Sequence, residues 1–202
     1  MKHIDITIQI NKIDSILKEI AQNIYENRNN DSYYHKLEFN TNQLLNHEGY
    51  TKFVNSDGEL VTIFNDLNCI KENHCLYWFE LENEELANDL NLELNKYRLK
   101  NLKTVPPRNN KNKNSKVFYV GIRQGGYTKY NNLTNITGRI CQHLGYYKKP
   151  TTQGLQLYEY TRNKSYKITI KVIEFKRFDF AIHLNTIEKL VAQKLKPLCG
   201  NH

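Results

Sequence analysis

The run CLYWF at 75–79 is the longest uninterrupted apolar stretch in the chain. Continued to Leu81, it sets Cys75, Tyr77 and Phe79 on one face of a strand and Leu76 and Trp78 on the other. A strand that is apolar on both faces has to be covered on both, so this stretch is predicted as a central strand beneath flanking helices. Residues 117–122, VFYVGI, have the same character and are predicted as a second central strand. No run approaches the ~20 apolar residues that a spanning helix needs.

Other segments fill in around these two. Ile4, Ile6, Ile8 and Ile10 alternate and predict a strand over 3–10. Ile13, Ile16, Leu17, Ile20 and Ile24 recur at helical spacing until the polar stretch 26–32. Asp57-Gly58, between 51–54 and 59–64, predicts a hairpin. Helices are predicted around Leu86, Leu90, Leu94 and Tyr97, and around Ile136, Ile140 and Leu144. Residues 155–160 and 166–175 read as strands, and 185–195 as a last helix stopped before Pro197. The expected fold class is α+β: a small central mixed or antiparallel sheet flanked by helices, with an α+β N-terminal extension.

At 202 residues the chain suits one compact domain, or a small domain carrying an extension. Its N-terminus, MKHIDITIQI, alternates and contains an acid, Asp5, unlike a secretory signal. Cys69, Cys75, Cys141 and Cys199 form no C-x-x-C pair, so reduced thiols in a cytoplasmic protein are expected, without a structural zinc site.

Charge is divided unevenly. Residues 1–100 hold 10 Lys+Arg and 17 Asp+Glu, net −7, whereas 101–202 hold 19 and 4, net +15; together they make the overall +8. A basic half rich in Tyr and nearly free of acids favours a polyanion through counterion release and stacking. Nucleic acid is therefore the expected partner, and a membrane is not. Residues 101–116, NLKTVPPRNNKNKNSK, carry five cations and no acid in a predicted loop. Arg108, Lys111 and Lys113 there, with Arg123, Lys129, Lys148 and Lys149, are the candidate nucleic-acid contacts.

The basic half has only Glu159, Glu174, Asp179 and Glu188 as acids, so any metal chemistry must use very few carboxylates. Glu188 has Val191, Ala192 and Leu195 at i+3, i+4 and i+7, on the sheet-facing side of its helix. A carboxylate there needs a partner. Two readings are open: a metal ligand, or the N3 residue of a capping box formed with Asn185. Arg139 and His143 lie one helical turn apart, a cation suited to phosphate and a base or orienting group, or else a solvated helix face. Tyr119 ends one central strand at Gly121, and Tyr77 holds a matching place in the other; both also suit ordinary buried tyrosines.

In this order the stretches CLYWF (75–79), VFYVG (117–121), GRICQHL (138–144) and IEKLVAQKLKPLCGN (187–201) resemble the GIY-YIG nuclease family. The resemblance spans about 75–202 and leaves 1–74 as an extension for dimerisation, in a homodimer, or for substrate choice. The first motif is Cys-Leu-Tyr in place of Gly-Ile-Tyr, and Tyr77 precedes Tyr119 by 42 positions, much farther than in most members. An insertion at about 82–116 accounts for that distance. Ile122 stands where members often carry Lys, with Arg123, Lys129 or a loop Lys as substitutes; Asn201 comes one position later than the family's Asn.

The resemblance implies a metal-dependent endonuclease that hydrolyses DNA with one Mg²⁺ (or Mn²⁺) per active site. Glu188 would hold the ion, and Tyr77 or Tyr119 would align or deprotonate the water. His143 would assist the phenol and Arg139 would stabilise charge at phosphorus. The rival readings are a nucleic-acid-binding module that cuts nothing and an RNA-cleaving nuclease or toxin.

Overall fold

The computed structural model describes residues 6–44, 60–100, 105–126, 135–146, 153–176 and 181–200. Its centre is the strand predicted from CLYWF, β2 (His74–Leu81), which is buried along its whole length. β2 pairs with β3 (Val117–Arg123) on one side and β4 (Lys167–Phe175) on the other, and β1 (His35–Asn40) pairs with β4. Every pairing is antiparallel and the order is β1-β4-β2-β3. The α+β class is thus observed, with the sheet wholly antiparallel among the described residues.

Helices cover both faces, as a strand buried on both sides demands. One face, with Tyr77, Phe79, Leu81, Tyr119, Ile168, Ile170 and Val172, packs under α2 (Val61–Cys69), α3 (Glu84–Lys100), α4 (Ile136–Leu144) and α5 (Leu157–Thr161). The opposite face, with Leu76, Trp78, Val117, Val120 and Ile173, packs under α1 (Ile6–Glu26) and α6 (Ala181–Leu195). β1 and α1 therefore place residues from the first 74 in the same core as the basic half. On the α1/α6 side the pleat brings one buried ion pair, Lys171 to Glu80 at 3.2 Å. Lys171 also donates to the Arg28 carbonyl (2.6 Å), and Trp78 Nε1 donates to Glu80 (2.8 Å), so the charges are hydrogen-bonded as well as paired.

β3 stands last in the strand order rather than in the middle, yet one end of its outer edge is paired. Leu198 and Cys199 donate to the carbonyls of Val117 and Phe118, each at 3.0 Å. Arg108 bridges Cys199 in turn, and Asn109 donates to Leu198 (2.8 Å). The basic loop is thus laid along the C-terminal residues, with Arg108, Lys111 and Lys113 exposed.

Four local expectations differ from the structure. Residues 6–10 are helical, not a strand; Ile6, Ile8 and Ile10 are 68, 51 and 59% exposed, so their alternation marks no buried sheet face. The pattern that prevails is the three-and-four spacing of Ile6, Ile10, Ile13, Leu17, Ile20 and Ile24, anchored by buried Leu17 and Ile24. Val61 to Phe64 begin α2, because Ile63, Phe64 and Leu67 bury one helical stripe. Residues 157–160 belong to α5 rather than a strand; 153–156 run irregularly and Gln156 has φ +55°. The last helix begins at Ala181, four residues before the predicted start. The Asp57-Gly58 hairpin, Lys129, Lys148, Lys149 and Asn201 lie outside the described residues. No helix among the described residues is long and apolar enough to cross a membrane.

Candidate active site

Tyr77 on β2 stands directly opposite Gly121 on β3. A Cβ at 121 would fall 2.5 Å from Tyr77 Oη, 2.7 Å from its Cζ and 2.8 Å from Tyr119 Cε1. The glycine is therefore a gap in the strand surface, and the Tyr77 phenol lies in it. Tyr119, paired with Phe79, shares that face, and the two tyrosine rings are 6.3 Å apart between centroids. Both strands thus deliver a phenol to one spot, as the matched strand positions suggested.

α4 covers that spot. Asn135 caps its start by accepting from Gly138 N (3.2 Å), and Gly145, at φ +100°, ends it in the left-handed region. Between the caps, Arg139 and His143 face the phenols. Arg139 Nε donates to Tyr77 Oη (3.1 Å), Nη2 to Tyr119 Oη (3.2 Å) and Nη1 to Gln142 Oε1 (2.6 Å). His143, fully buried, has Nε2 2.9 Å from Tyr77 Oη, and its Nδ1 accepts from the Leu155 N–H at 3.1 Å. The solvated-face reading of this helix is overturned, since α4 buries both its apolar stripe and its His.

The site's electrostatics follow from burial beside one guanidinium. Burial raises the pKa of Tyr77, with Arg139 pulling in the opposite sense, and burial raises Tyr119 as well. Burial opposes the charge of Arg139, but the two phenol oxygens outweigh it and hold the guanidinium protonated. His143 is pushed well below its ordinary value by burial and then by Arg139, so the ring is neutral. Arg123, at the end of β3, is lowered by burial and by Arg139, which places its charge in the field of the same cluster.

Glu188 reaches this field from α6. Its carboxyl is pushed up to about 7 by burial, against the opposing pull of Arg139 and Lys189, and it adds to the upward shift of both phenols. Because α6 starts at Ala181, Asn185 is an interior residue and Glu188 is not at N3. The capping box predicted as its alternative role does not form. Glu188 has no hydrogen-bond or ion-pair partner among the described residues.

Among the described residues no group of three or more His, Cys, Asp or Glu gathers, so Glu188 is the one carboxylate there that could serve as a protein ligand to a divalent cation at the phenols. Such an ion would draw its other ligands from phosphate and water, which suits Mg²⁺. Sequence reasoning brought Tyr77, Tyr119, Gly121, Arg139 and His143 to one place and Glu188 within their field. It missed Gln142, whose only signal is its position three residues after Arg139, and the backbone of Leu155, which carries no side-chain signal at all. The chain matches no family model, no curated protein and no solved structure.

Proposed function

We propose that the chain is a metal-dependent endonuclease of GIY-YIG type that hydrolyses phosphodiester bonds of DNA at the Tyr77–Arg139–Glu188 site. The carrying observation is the guanidinium of Arg139, which spans both phenol oxygens at 3.1 and 3.2 Å and acts electrostatically on Glu188, a carboxylate with no hydrogen-bond or ion-pair partner among the described residues. Arg has five N–H groups. Among the described residues three of Arg139's are used, which leaves one on each terminal nitrogen suited to phosphate oxygens. A cation held at Glu188 would supply the extra positive charge that lets a buried phenol ionise and offsets charge on the phosphate.

The chain's own groups then have distinct tasks. A phenol that has released its proton to solvent would take one from the attacking water. The water oxygen bonds to phosphorus as the bond to the departing sugar oxygen breaks, that oxygen takes a proton from solvent, and Arg139 stabilises the added charge at phosphorus. The site lies in a chain whose basic half is net +15, which draws the phosphate backbone towards it. Exposed Arg108, Lys111 and Lys113 are suited to backbone contacts.

Incubating supercoiled plasmid and a matched panel of DNA and RNA duplexes with the chain, with Mg²⁺ or with EDTA, tests this directly. Cleavage of DNA in the Mg²⁺ arm alone is expected. Binding without cutting in either arm would leave a nucleic-acid-binding module, and cleavage confined to RNA would leave a ribonuclease.

A further inference from the structure

The segment 153–156 passes beneath α4 and touches it three times. Gly154 lies so close that a Cβ there would meet Gln142 Cγ and Gln142 O, each at 2.7 Å. Leu155 N–H donates to His143 Nδ1 (3.1 Å), and Gln156 Nε2 donates to the Gln142 carbonyl (2.9 Å). Leu155 and Gln156 are buried, and Gln156 turns the chain at φ +55° into α5. These contacts converge on the two residues of α4 that hold the site: Gln142, which binds Arg139, and His143, which touches Tyr77.

We propose that this strap, Gly154 to Gln156, is a positioning element that fixes His143 as an Nε2–H donor aimed at the Tyr77 oxygen. A backbone N–H can only donate, so Nδ1 must be the bare nitrogen of the ring. A neutral imidazole then carries its hydrogen on Nε2, which points at Tyr77 Oη. Tyr77 Oη consequently receives two N–H groups, from Arg139 and His143. Two converging donors stabilise the phenolate, whereas His143 with Nδ1 occupied has no lone pair left to take the Tyr77 proton. His143 is a positioning residue in this scheme, not the base. The expected effect on turnover rests on the proposed nuclease reading; the tautomer does not.

The test is long-range ¹H–¹⁵N NMR of the full chain labelled at histidine, with the His143 signals assigned by their loss in His143→Gln. A single neutral form with hydrogen on Nε2 at neutral pH is expected. An Nδ1–H ring or a doubly protonated ring overturns the strap's role. In a cleavage assay, His143→Gln, which keeps an N–H donor, should retain at least tenfold more turnover than His143→Leu. Equal loss in both would remove the donor role.

Gly154→Ala displaces the strap, and a misplacement of this kind costs about 100-fold in kcat with KM little changed. Should that variant not fold, the tautomer and the His143 pair still decide. Wild-type chain that shows the Nε2–H ring yet cuts nothing would overturn the nuclease reading while leaving the strap in place.

Discussion

Tyr77 and Gly121 face each other across the β2–β3 ladder, and the phenol oxygen occupies the space where a side chain at 121 would begin, 2.5 Å from the Cβ position. The glycine is required by a neighbour rather than by its own backbone angles. Gly121→Ala should push Tyr77 off Arg139 and His143. We expect turnover to fall by about 100-fold, as misplaced catalytic groups do. Overpacking should lower stability by about 1–3 kcal/mol. Denaturant melts run beside the cleavage assay separate the two effects. An Ala variant that cuts DNA at the wild-type rate would show that the Tyr77 position is immaterial.

Arg139 is held by three hydrogen bonds from three different N–H groups, a geometry that a lysine ammonium cannot reproduce. Arg139→Lys and Arg139→Ala should therefore lose cleavage alike, by ~10²–10³-fold, while DNA affinity changes little. Single-turnover rates and filter binding on the same preparations make the comparison. Rescue by Lys would reduce Arg139 to a simple point charge.

On the other face, the Lys171–Glu80 pair ties β4 to β2 and, through the Arg28 carbonyl, to the turn that follows α1. Burial lowers Lys171, and Glu80 opposes that shift, so the charge persists because its partner is present. Glu80→Ala leaves a buried ammonium with less compensation and should destabilise by about 3–5 kcal/mol. Urea titration reads this, and an unchanged midpoint would show that the pair contributes nothing to the fold.

Binding to DNA should weaken steeply with salt. If 5–8 cations of the basic half contact phosphates, the log–log slope is about −4 to −7. Replacing exposed Arg108, Lys111 and Lys113 with Ala should flatten that slope by about 1 for each phosphate left without its cation. A slope unaffected by the triple change would move the DNA path away from this loop.

The legible parts of this chain were those where one residue pattern admits one structure. A stretch apolar on both faces, such as 75–79, has to be covered on both, and Arg139 with His143 share a helix face by spacing alone. The illegible parts were those where two periods coexist. Ile6, Ile8 and Ile10 alternate, but Ile6, Ile10 and Ile13 also fall at helical spacing, and packing of Leu17 and Ala21 against the sheet side decided for the helix. Asn185 with Glu188 is a capping signature only where a helix begins, and α6 begins at Ala181. The Leu155 N–H that governs His143 is a backbone group and leaves no trace in residue identity.

Loss of the cap makes Glu188→Gln decisive, because a stabilising role at the helix start is gone and burial of a carboxylate with no partner among the described residues is left. In the fold this carboxyl is pushed up to about 7 by burial, above the ordinary glutamate value of about 4.3. Between those two pH values the folded chain holds a proton that the unfolded chain has released. Stability from this group is therefore fully present below the lower value and declines as pH rises towards the upper one. Gln, which cannot ionise, removes that decline, so the metal-free Gln variant should exceed wild type in melting temperature by a margin that widens from pH 5 to pH 7.5. Mg²⁺ requires the ionised carboxylate, so it should raise the wild-type melting temperature more at pH 8 than at pH 6 and leave the variant unmoved. Cleavage by the variant should collapse while DNA affinity persists. Thermal melts with and without Mg²⁺ at each pH read the first two effects, and plasmid nicking reads the third. A variant that cuts at the wild-type rate under saturating Mg²⁺ would remove Glu188 from the metal site, and the one-carboxylate mechanism with it.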